Sequence, residues 1–412
     1  MCDMIRNRNI IYTLYSSVYN MKTRKNKNNN KNKNKNKNNN KNKNKTHKKR
    51  RADLKNNFYY FVNSEWVKKT YISKDTTQKN LFTILHKKVD KDLLKTIQKH
   101  LLNANTLQGK QCNALYKSFT IWNDEIVENQ AYLFIKKINE FRKGSNSNCL
   151  YSFIKWALYN GITIPISFGI IHDIKNPTKY ITNVGESGLT FTSKEMYFDK
   201  SRQFVQLRNA LKTFIAQLFN LFFGENHCYN ADDVLEIELE MAKKMYTVSQ
   251  YESSIKTYNK YSTQQAKTKC NFDSDLFLKE FGIKHTNTNT KINFSNPEYI
   301  KNVFDLLEKN WISNKWNSYW IYRLLMLVSK FHSKMHKFVL HFFTNKMNET
   351  VIKDNVMDAI RSISVIMNST VSQLYIKHHV NTKEIQFVTE LIEKIKKIFT
   401  PFLISNAHYL KN

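Results

Sequence analysis

The residues best suited to chemistry are two histidines four positions apart. His332 and His336 occur in the run His-Ser-Lys-Met-His, and this spacing puts two imidazoles on one face of a helix, where they could bind zinc. Ser333 follows the first histidine but cannot act as the base for a metal-bound water, and Lys334 would repel a cation. The sequence therefore favours two partly exposed helix histidines, with a weak zinc site as the alternative.

Other groupings of reactive residues are incomplete. His172-Asp173 has no nucleophile in a recognisable turn, and His378-His379 are adjacent, so their side chains point apart on a helix. The eight glycines form neither a phosphate-binding loop nor a dinucleotide fingerprint. The isolated residues therefore assign no reaction.

Cysteine usage predicts reduced, mostly buried thiols. Five cysteines are an odd number, widely scattered and never in a Cys-x-x-Cys pair, which argues against a disulfide framework or a cysteine zinc site; they are Cys2, Cys112, Cys149, Cys228 and Cys270. The apolar run Ile10–Tyr19 is too short and too polar for a transmembrane helix, and no small-residue cleavage site follows it. We therefore expect an intracellular protein of the cytoplasm or host cytoplasm, without a transmembrane segment.

Composition indicates that long helices position these residues. Glycine (8) and proline (4) are scarce among 412 residues, which disfavours sandwiches, propellers and doubly wound sheets, because these folds need many tight turns. Apolar residues make up 41% of the chain, enough for a substantial core. The predicted fold class is mainly α, a large multi-helix domain with minor short β segments.

The net charge of +33 is concentrated near the start of the chain. Residues 22–51 contain fifteen lysines and arginines and no acid, and positions 25–45 are only lysine and asparagine. Such a segment cannot pack into a core, so we predict a disordered basic leader at 1–51 and a folded domain at 52–412. The leader is either a solvated tail, which we favour because the repeat lacks arginines and aromatics, or an arm for nucleic acid or an anionic membrane.

Local signals predict several elements of the folded part. They are helices beginning after Asn230, Asn296-Pro297 and Asn381, a buried helical pair within 311–345, and short β segments at Ile162–Ile171 and Leu189–Thr192. The apolar stripe from Ile385 to Ile398 is expected to be core, and Pro401 is expected to end its helix.

Several motifs in a shared order resemble the N-terminal half of the neprilysin/endothelin-converting-enzyme family of zinc metallopeptidases. The motifs are Asn57-Phe58-Tyr59 through Trp66, Tyr116-Lys117-Ser118, Glu186-Ser187-Gly188-Leu189 through Met196-Tyr197, Glu238 with Met241-Ala242, Tyr258-Asn259-Lys260, Pro297-x-Tyr299 and the helix Tyr319–Leu325. The resemblance implies a helical domain that covers a peptidase active site. It singles out positions that line the substrate-facing wall of this domain or belong to family motifs: Phe58, Tyr59, Asn63, Trp66, Gly188, Leu189, Glu238, Tyr258 and Asn259.

The same comparison shows what these 412 residues lack. The family's His-Glu-x-x-His zinc motif is absent, since none of the twelve histidines is followed by glutamate. Gly224-Glu225-Asn226 is similar to the start of the family's second zinc segment, but Tyr229 stands where that segment has aspartate, so we predict a loop between helices. Ser405–Tyr409 resembles a substrate-binding strand or is a frayed tail. The resemblance therefore implies no catalytic or metal residue in this chain, with zinc expected only in a separate catalytic domain.

Departures from the family pattern affect two further expectations. Asn63 and Phe119 stand where extracellular members place cysteines, and Gln78 and His86 stand where some relatives carry substrate-contacting arginines. A disulfide-stapled ectodomain and recognition of a peptide carboxylate are therefore not expected.

Three readings of function remain. The chain is the helical N-terminal domain of a neprilysin-family protein involved in peptide proteolysis but without its catalytic half, or a pseudoenzyme that binds a peptide or partner, or a nucleic-acid-associated protein that uses its basic arm. In the first two readings the chain is inactive alone, and the wall that faces a catalytic domain should be an exposed apolar surface.

Overall fold

The computed structural model describes residue 55 and residues 57–72, 79–144, 146–283, 291–347 and 355–407. The predicted leader 1–51 and Gln78 lie outside these residues, as do His408 and Tyr409 of the proposed terminal strand. The described residues divide into a small unit that ends at residue 88 and a large unit that begins at residue 89.

Eighteen helices among the described residues confirm the mainly α fold class. They are α1 (Phe58–Lys69), α2 (Leu81–His100), α3 (Leu107–Thr120), α4 (Asp124–Arg142), α5 (Ser147–Tyr159), α6 (Lys194–Phe198), α7 (Arg202–Phe223), α8 (Ala231–Ala242), α9 (Val248–Tyr251), α10 (Ser254–Thr257), α11 (Thr263–Cys270), α12 (Ser274–Glu280), α13 (Pro297–Asn310), α14 (Asn314–Val328), α15 (Ser333–Asn345), α16 (Asn355–Ile366), α17 (Asn368–His379) and α18 (Thr382–Ser405). None of these helices is long and apolar enough to cross a membrane.

Helix starts follow the side-chain caps that the sequence contains. The side-chain oxygen of Asn230 accepts from the Asp232 amide, that of Asn296 from the Tyr299 amide, and that of Asn381 from the Lys383 amide. Each cap satisfies an amide that has no partner inside its helix. The predicted starts of α8, α13 and α18 are confirmed, and so are the two helices within 311–345.

Four strands form one small sheet in the order β1-β2-β4-β3. The strands are β1 (Ile166–Asp173), β2 (Asn176–Glu186), β3 (Lys260–Ser262) and β4 (Lys291–Phe294). β1 and β2 form an antiparallel hairpin, β2 and β4 pair in parallel with Val184 opposite Phe294, and β3 runs antiparallel to β4. β1 confirms the β segment expected at Ile162–Ile171 from Ile166 onward.

The main core of the large unit surrounds α14. Every residue of this helix from Trp316 to Leu325 is buried, and Trp320 stacks on Trp316 at 5.0 Å between ring centroids and meets Phe153 of α5 edge-on at 4.9 Å. A second, smaller cluster joins α2, α3, α16 and α17 through Ile97, Leu101, Cys112, Ile360, Ile363 and Val371.

Three local expectations are wrong. Leu189–Thr192 is an irregular segment instead of a strand, because the Thr190 amide bonds to a side chain and not to a neighbouring strand. Pro401 lies inside α18, which continues to Ser405. The stripe from Ile385 to Ile398 is not core, since every residue of α18 is exposed.

Candidate functional site

Glu238 of α8 is the centre of a buried polar network. Its carboxylate is fully buried and accepts hydrogen bonds from the Thr190 amide at 3.0 Å, the Thr190 hydroxyl at 2.7 Å and the Tyr197 hydroxyl at 2.6 Å. Arg323 of α14 forms an ion pair with the same carboxylate, with 2.5 Å between its Nη2 and the Glu238 Oε1. Four donors compensate the removal of this carboxylate from water.

Gly188 enters the same network through its backbone. Its carbonyl oxygen accepts from the Tyr319 hydroxyl at 2.7 Å and from the Arg323 guanidinium. The residue has φ +76°, and a Cβ there would lie 2.4 Å from the Tyr319 hydroxyl and 2.6 Å from the Pro165 Cα. Only glycine fits this conformation and this space. The adjacent Leu189 packs against the main core.

The charges of the network are fixed by the groups around it. Burial alone would lower the pKa of Arg323, but Tyr319 and Glu238 raise it, so the guanidinium stays protonated. Burial, together with the Glu238 carboxylate, raises the pKa of Tyr197 well above its usual value, so its hydroxyl remains a donor. The network therefore places a protonated guanidinium and a protonated tyrosine hydroxyl beside the Glu238 side chain.

Tyr258 and Asn259 lie beside the sheet instead of beside Glu238. The Tyr258 hydroxyl donates to Asp173 at 2.7 Å, and Lys260 pairs with the same carboxylate. These two donors lower the pKa of Asp173 to about 2. The Asn259 side-chain amide donates to the Phe294 carbonyl at 2.9 Å. Hydrogen bonds from Tyr258 and Asn259 therefore connect the segment before β3 to β1 and β4.

The predicted residues of the small unit are on α1. Phe58 and Tyr59 are exposed, with 65% and 63% of their surfaces accessible, whereas Asn63 and Trp66 are half-buried. The Asn63 side chain donates to the Tyr59 carbonyl one turn earlier. Phe58 and Tyr59 thus present two neighbouring aromatic side chains on the exposed part of α1.

The two histidines four residues apart both have other contacts. His332 caps α15, with Nδ1 near the Met335 amide at 3.4 Å and Nε2 2.9 Å from a Glu128 oxygen, so both ring nitrogens already have partners. His336 packs on the Trp122 ring at 4.9 Å, and burial lowers its pKa. Among the described residues, no three His, Cys, Asp or Glu side chains are placed to hold a metal.

The segment that is similar to the start of the family's second zinc-binding segment is a loop, as predicted. Gly224-Glu225-Asn226 lies between α7 and α8, and the Tyr229 ring packs on Phe219 and Phe223 at 5.5 and 4.8 Å. An aromatic residue in this packing cannot replace a carboxylate ligand.

Glu186 is a site residue that the motif reading did not single out. It ends β2, and its Oε1 accepts from the Asn296 side-chain amide at 2.6 Å and from the Tyr246 amide at 2.9 Å. Burial raises the pKa of this carboxyl to about 7. Its only sequence signal was membership of the Glu-Ser-Gly-Leu motif, which does not reveal its partners.

The structure therefore brings together only some of the predicted residues. Gly188 and Glu238 both contact Arg323, and Leu189 follows Gly188 in the chain, while Tyr258 and Asn259 are at the sheet. Arg323, Thr190 and Tyr322 were missed as site residues, and Tyr322 bonds to the Thr190 hydroxyl at 2.9 Å. The Glu238 carboxylate and the Thr190 and Tyr197 hydroxyls are all hydrogen-bonded, whereas Nε of the buried Arg323 has no partner among the described residues, so the arrangement mainly positions the backbone around Gly188 and Thr190.

The same fold occurs in two solved structures. Zinc metalloprotease Zmp1 of Mycobacterium tuberculosis, in complex with an inhibitor, matches with a TM-score of 0.67 and 17% identity over 86% of this chain and 54% of that chain. PepO from Lactobacillus rhamnosis HN001 matches with a TM-score of 0.68 and 15% identity over 86% of this chain and 56% of that chain. The chain thus spans about half the length of these structures.

Sequence comparison assigns the family. No curated protein matches the chain. The model of the N-terminal part of peptidase family M13 matches residues 54–406, which is most of the chain and agrees with the resemblance found in its motifs. The chain belongs to peptidase family M13.

Proposed function

We propose that this chain acts as the helical, non-catalytic half of an M13 peptidase. The observation that carries the proposal is the family match over residues 54–406, combined with coverage of only 54–56% of the two solved structures. In this role the chain forms a wall that limits which peptides reach a zinc centre supplied by other residues.

The proposal assigns zinc to a catalytic domain outside these 412 residues. It is supported by the absence of His-Glu-x-x-His from the sequence and by the engagement of both His332 nitrogens. Hydrolysis of this type needs three protein ligands, an open metal position and a carboxylate base. Among the residues that the structure describes, no side chains form such a set, so in this proposal the chain binds peptides and limits which of them reach the zinc centre.

Exposed apolar surface supports the need for a partner. On α1, Phe58, Tyr59, Tyr60, Phe61 and Val62 are 45–65% exposed, and on α2, Leu81 and Phe82 are 77% and 75% exposed. Patches of this kind mark interaction sites in folded proteins. The free thiols of Cys112, Cys149, Cys228 and Cys270 support a reducing, intracellular location.

Metal analysis combined with a peptidase assay tests the proposal. The purified full chain should hold no stoichiometric zinc, and a quenched peptide with added zinc should remain intact. His341→Ala is the matched control, because His341 is on the same helix α15 and its imidazole contacts the Asn345 side chain. One tightly bound zinc per chain, with hydrolysis lost in His332→Ala or His336→Ala but kept in His341→Ala, would overturn the proposal.

A further inference from the structure

Helix α18 is amphipathic and its apolar face is uncovered. It contains 24 residues, about 36 Å at 1.5 Å per residue, and every one of them is exposed. It is stabilised locally by its Asn381 cap and by pairs such as Lys396–Glu393 at 2.9 Å. Most of the stability of a helix in a protein comes from packing of its apolar face, so the uncovered face of α18 favours a partner.

The apolar residues follow a seven-residue repeat. Ile385, Ile392 and Phe399 occupy the first position of three successive heptads, and Val388, Ile395 and Phe402 the fourth. Leu391 and Ile398 extend the stripe on one side. The opposite face carries Gln386, Glu390, Glu393, Lys397 and Thr400. A repeat of 3.5 residues maintained over three heptads is the pattern of helices that pack along each other.

We propose that α18 pairs antiparallel with α18 of a second copy of this chain. An antiparallel pair brings first-position residues opposite fourth-position residues of the partner helix. Here that alignment places Ile385 opposite Phe402, Val388 opposite Phe399, and Ile392 opposite Ile395. All six first- and fourth-position residues then lie in the interface between the two helices, which we call the seam. Each of them is 47–57% exposed in the single chain.

Side-chain volume supports this direction. In the antiparallel pair, each end of the seam combines one aliphatic residue with one phenylalanine. A parallel pair in register would instead place Phe399 against Phe399 and Phe402 against Phe402 at one end. At the other end it would place the smaller Ile385 and Val388 against their own copies. The antiparallel seam is therefore more even in width, which suits close packing.

Charge supports the same direction. Acidic residues are concentrated in the first half of the helix, at Glu384, Glu390 and Glu393, and lysines in the second half, at Lys394, Lys396 and Lys397. Antiparallel pairing aligns the acidic half of one helix with the basic half of the other. Parallel pairing would bring the three lysines of both copies together, which is unfavourable.

The flanks of the seam differ. Leu391 lies beside Ile398 of the second copy on one flank, so the apolar surface continues there. Thr389 lies beside Lys396 on the other flank, which stays polar. A catalytic domain from elsewhere could cover the same stripe, and that alternative predicts a chain that is monomeric by itself.

Sedimentation equilibrium of the full chain measures the pairing. We expect a concentration-dependent dimer, and we expect Ile395→Glu to raise its dissociation constant at least about tenfold, because it puts a charge in the apolar seam. Gln386→Glu adds the same charge on the opposite face and should leave the dissociation constant unchanged. Circular dichroism verifies that both variants keep their helix content.

A chain that stays monomeric at high concentration would overturn the pairing, and so would a dimer unaffected by Ile395→Glu. Neither result bears on the metal and peptidase assays that test the proposed function. The two proposals can therefore fail separately.

Disulfide trapping measures the direction. In a Cys2→Ser, Cys228→Ser background, Ile385→Cys mixed with Phe402→Cys should cross-link efficiently, while each variant alone should cross-link poorly. Efficient cross-linking of Ile385→Cys with itself would overturn the antiparallel arrangement.

Discussion

Arg323 and Glu238 form an ion pair in which the two side chains are 6% and 0% exposed. The guanidinium also donates to the Gly188 carbonyl, so one pair ties α8 and α14 to the irregular segment after β2. The burial of both charges makes each dependent on the other. This pair is the structural reason for two of the family motifs, the one around Gly188 and the one around Glu238.

Replacing Glu238 with glutamine should strongly destabilise the protein. The change leaves the buried Arg323 charge without its counter-ion, and removing one partner of a buried pair costs about 3–5 kcal/mol. Urea unfolding followed by circular dichroism measures the free energy of unfolding. Glu240→Gln on the same helix is the control, since the exposed Glu240–Lys243 pair should contribute less than about 1 kcal/mol. Equal losses in the two variants would contradict the role given to the buried pair.

Gly188→Ala should destabilise more than Gly224→Ala. Both glycines have positive φ, +76° and +77°, but a Cβ at 188 meets Tyr319 and Pro165, whereas a Cβ at 224 meets nothing within 4 Å. Both variants lose about 1–2 kcal/mol through backbone strain, and the steric overlap at 188 should add about 2 kcal/mol. Thermal unfolding compares them, and similar melting temperatures would show that the segment relaxes around the added methyl group.

Local caps made part of the fold predictable. Asn230 and Asn296 bond to amides two and three residues later, so the helix starts depend on short sequence windows alone. The end of the last helix was harder to predict, because α18 continues through Pro401 to Ser405. The stripe of α18 has the pattern of a core helix, and the sequence cannot tell a buried stripe from one that awaits a partner.

The candidate site was less predictable because its contacts are distant in sequence. Glu238 and Arg323 are 85 residues apart, and Thr190 is 48 residues from Glu238. The motif around Gly188 indicated that this position matters, but it did not show why a glycine is needed there. The structure shows that the Tyr319 hydroxyl approaches the residue too closely for a Cβ. β4 was missed for the same reason, since its parallel pairing with β2 joins residues more than 100 positions apart.

Glu186 should make the protein less stable as the pH rises from about 4.5 to 7. Burial raises its folded-state pKa to about 7 from 4.5, so the native state binds more protons than the unfolded state in this window, and stability falls with pH. The loss approaches about 3 kcal/mol above pH 7. Glu186→Gln should remove this part of the pH dependence of the free energy of unfolding.

Glu298→Gln is the control for that measurement, because the exposed Glu298 forms a surface ion pair with Lys244 at 3.2 Å. Its pH profile should follow that of the unchanged protein. A Glu186→Gln profile with the same slope between pH 4.5 and 7 would place the responsible carboxyl elsewhere.

Cysteine labelling should separate one reactive thiol from two protected ones. Cys228 is exposed, whereas burial raises the pKa of Cys112 to about 11 and that of Cys270 to about 12. Because the thiolate is the nucleophile, iodoacetamide at pH 8 should modify Cys228 quickly and the other two only after unfolding. Peptide mass spectrometry over time measures each site separately. Rapid labelling of Cys112 while Cys270 stays protected would show that the α2–α3–α16–α17 cluster opens independently of the main core, since Cys112 belongs to that cluster and Cys270 to the core.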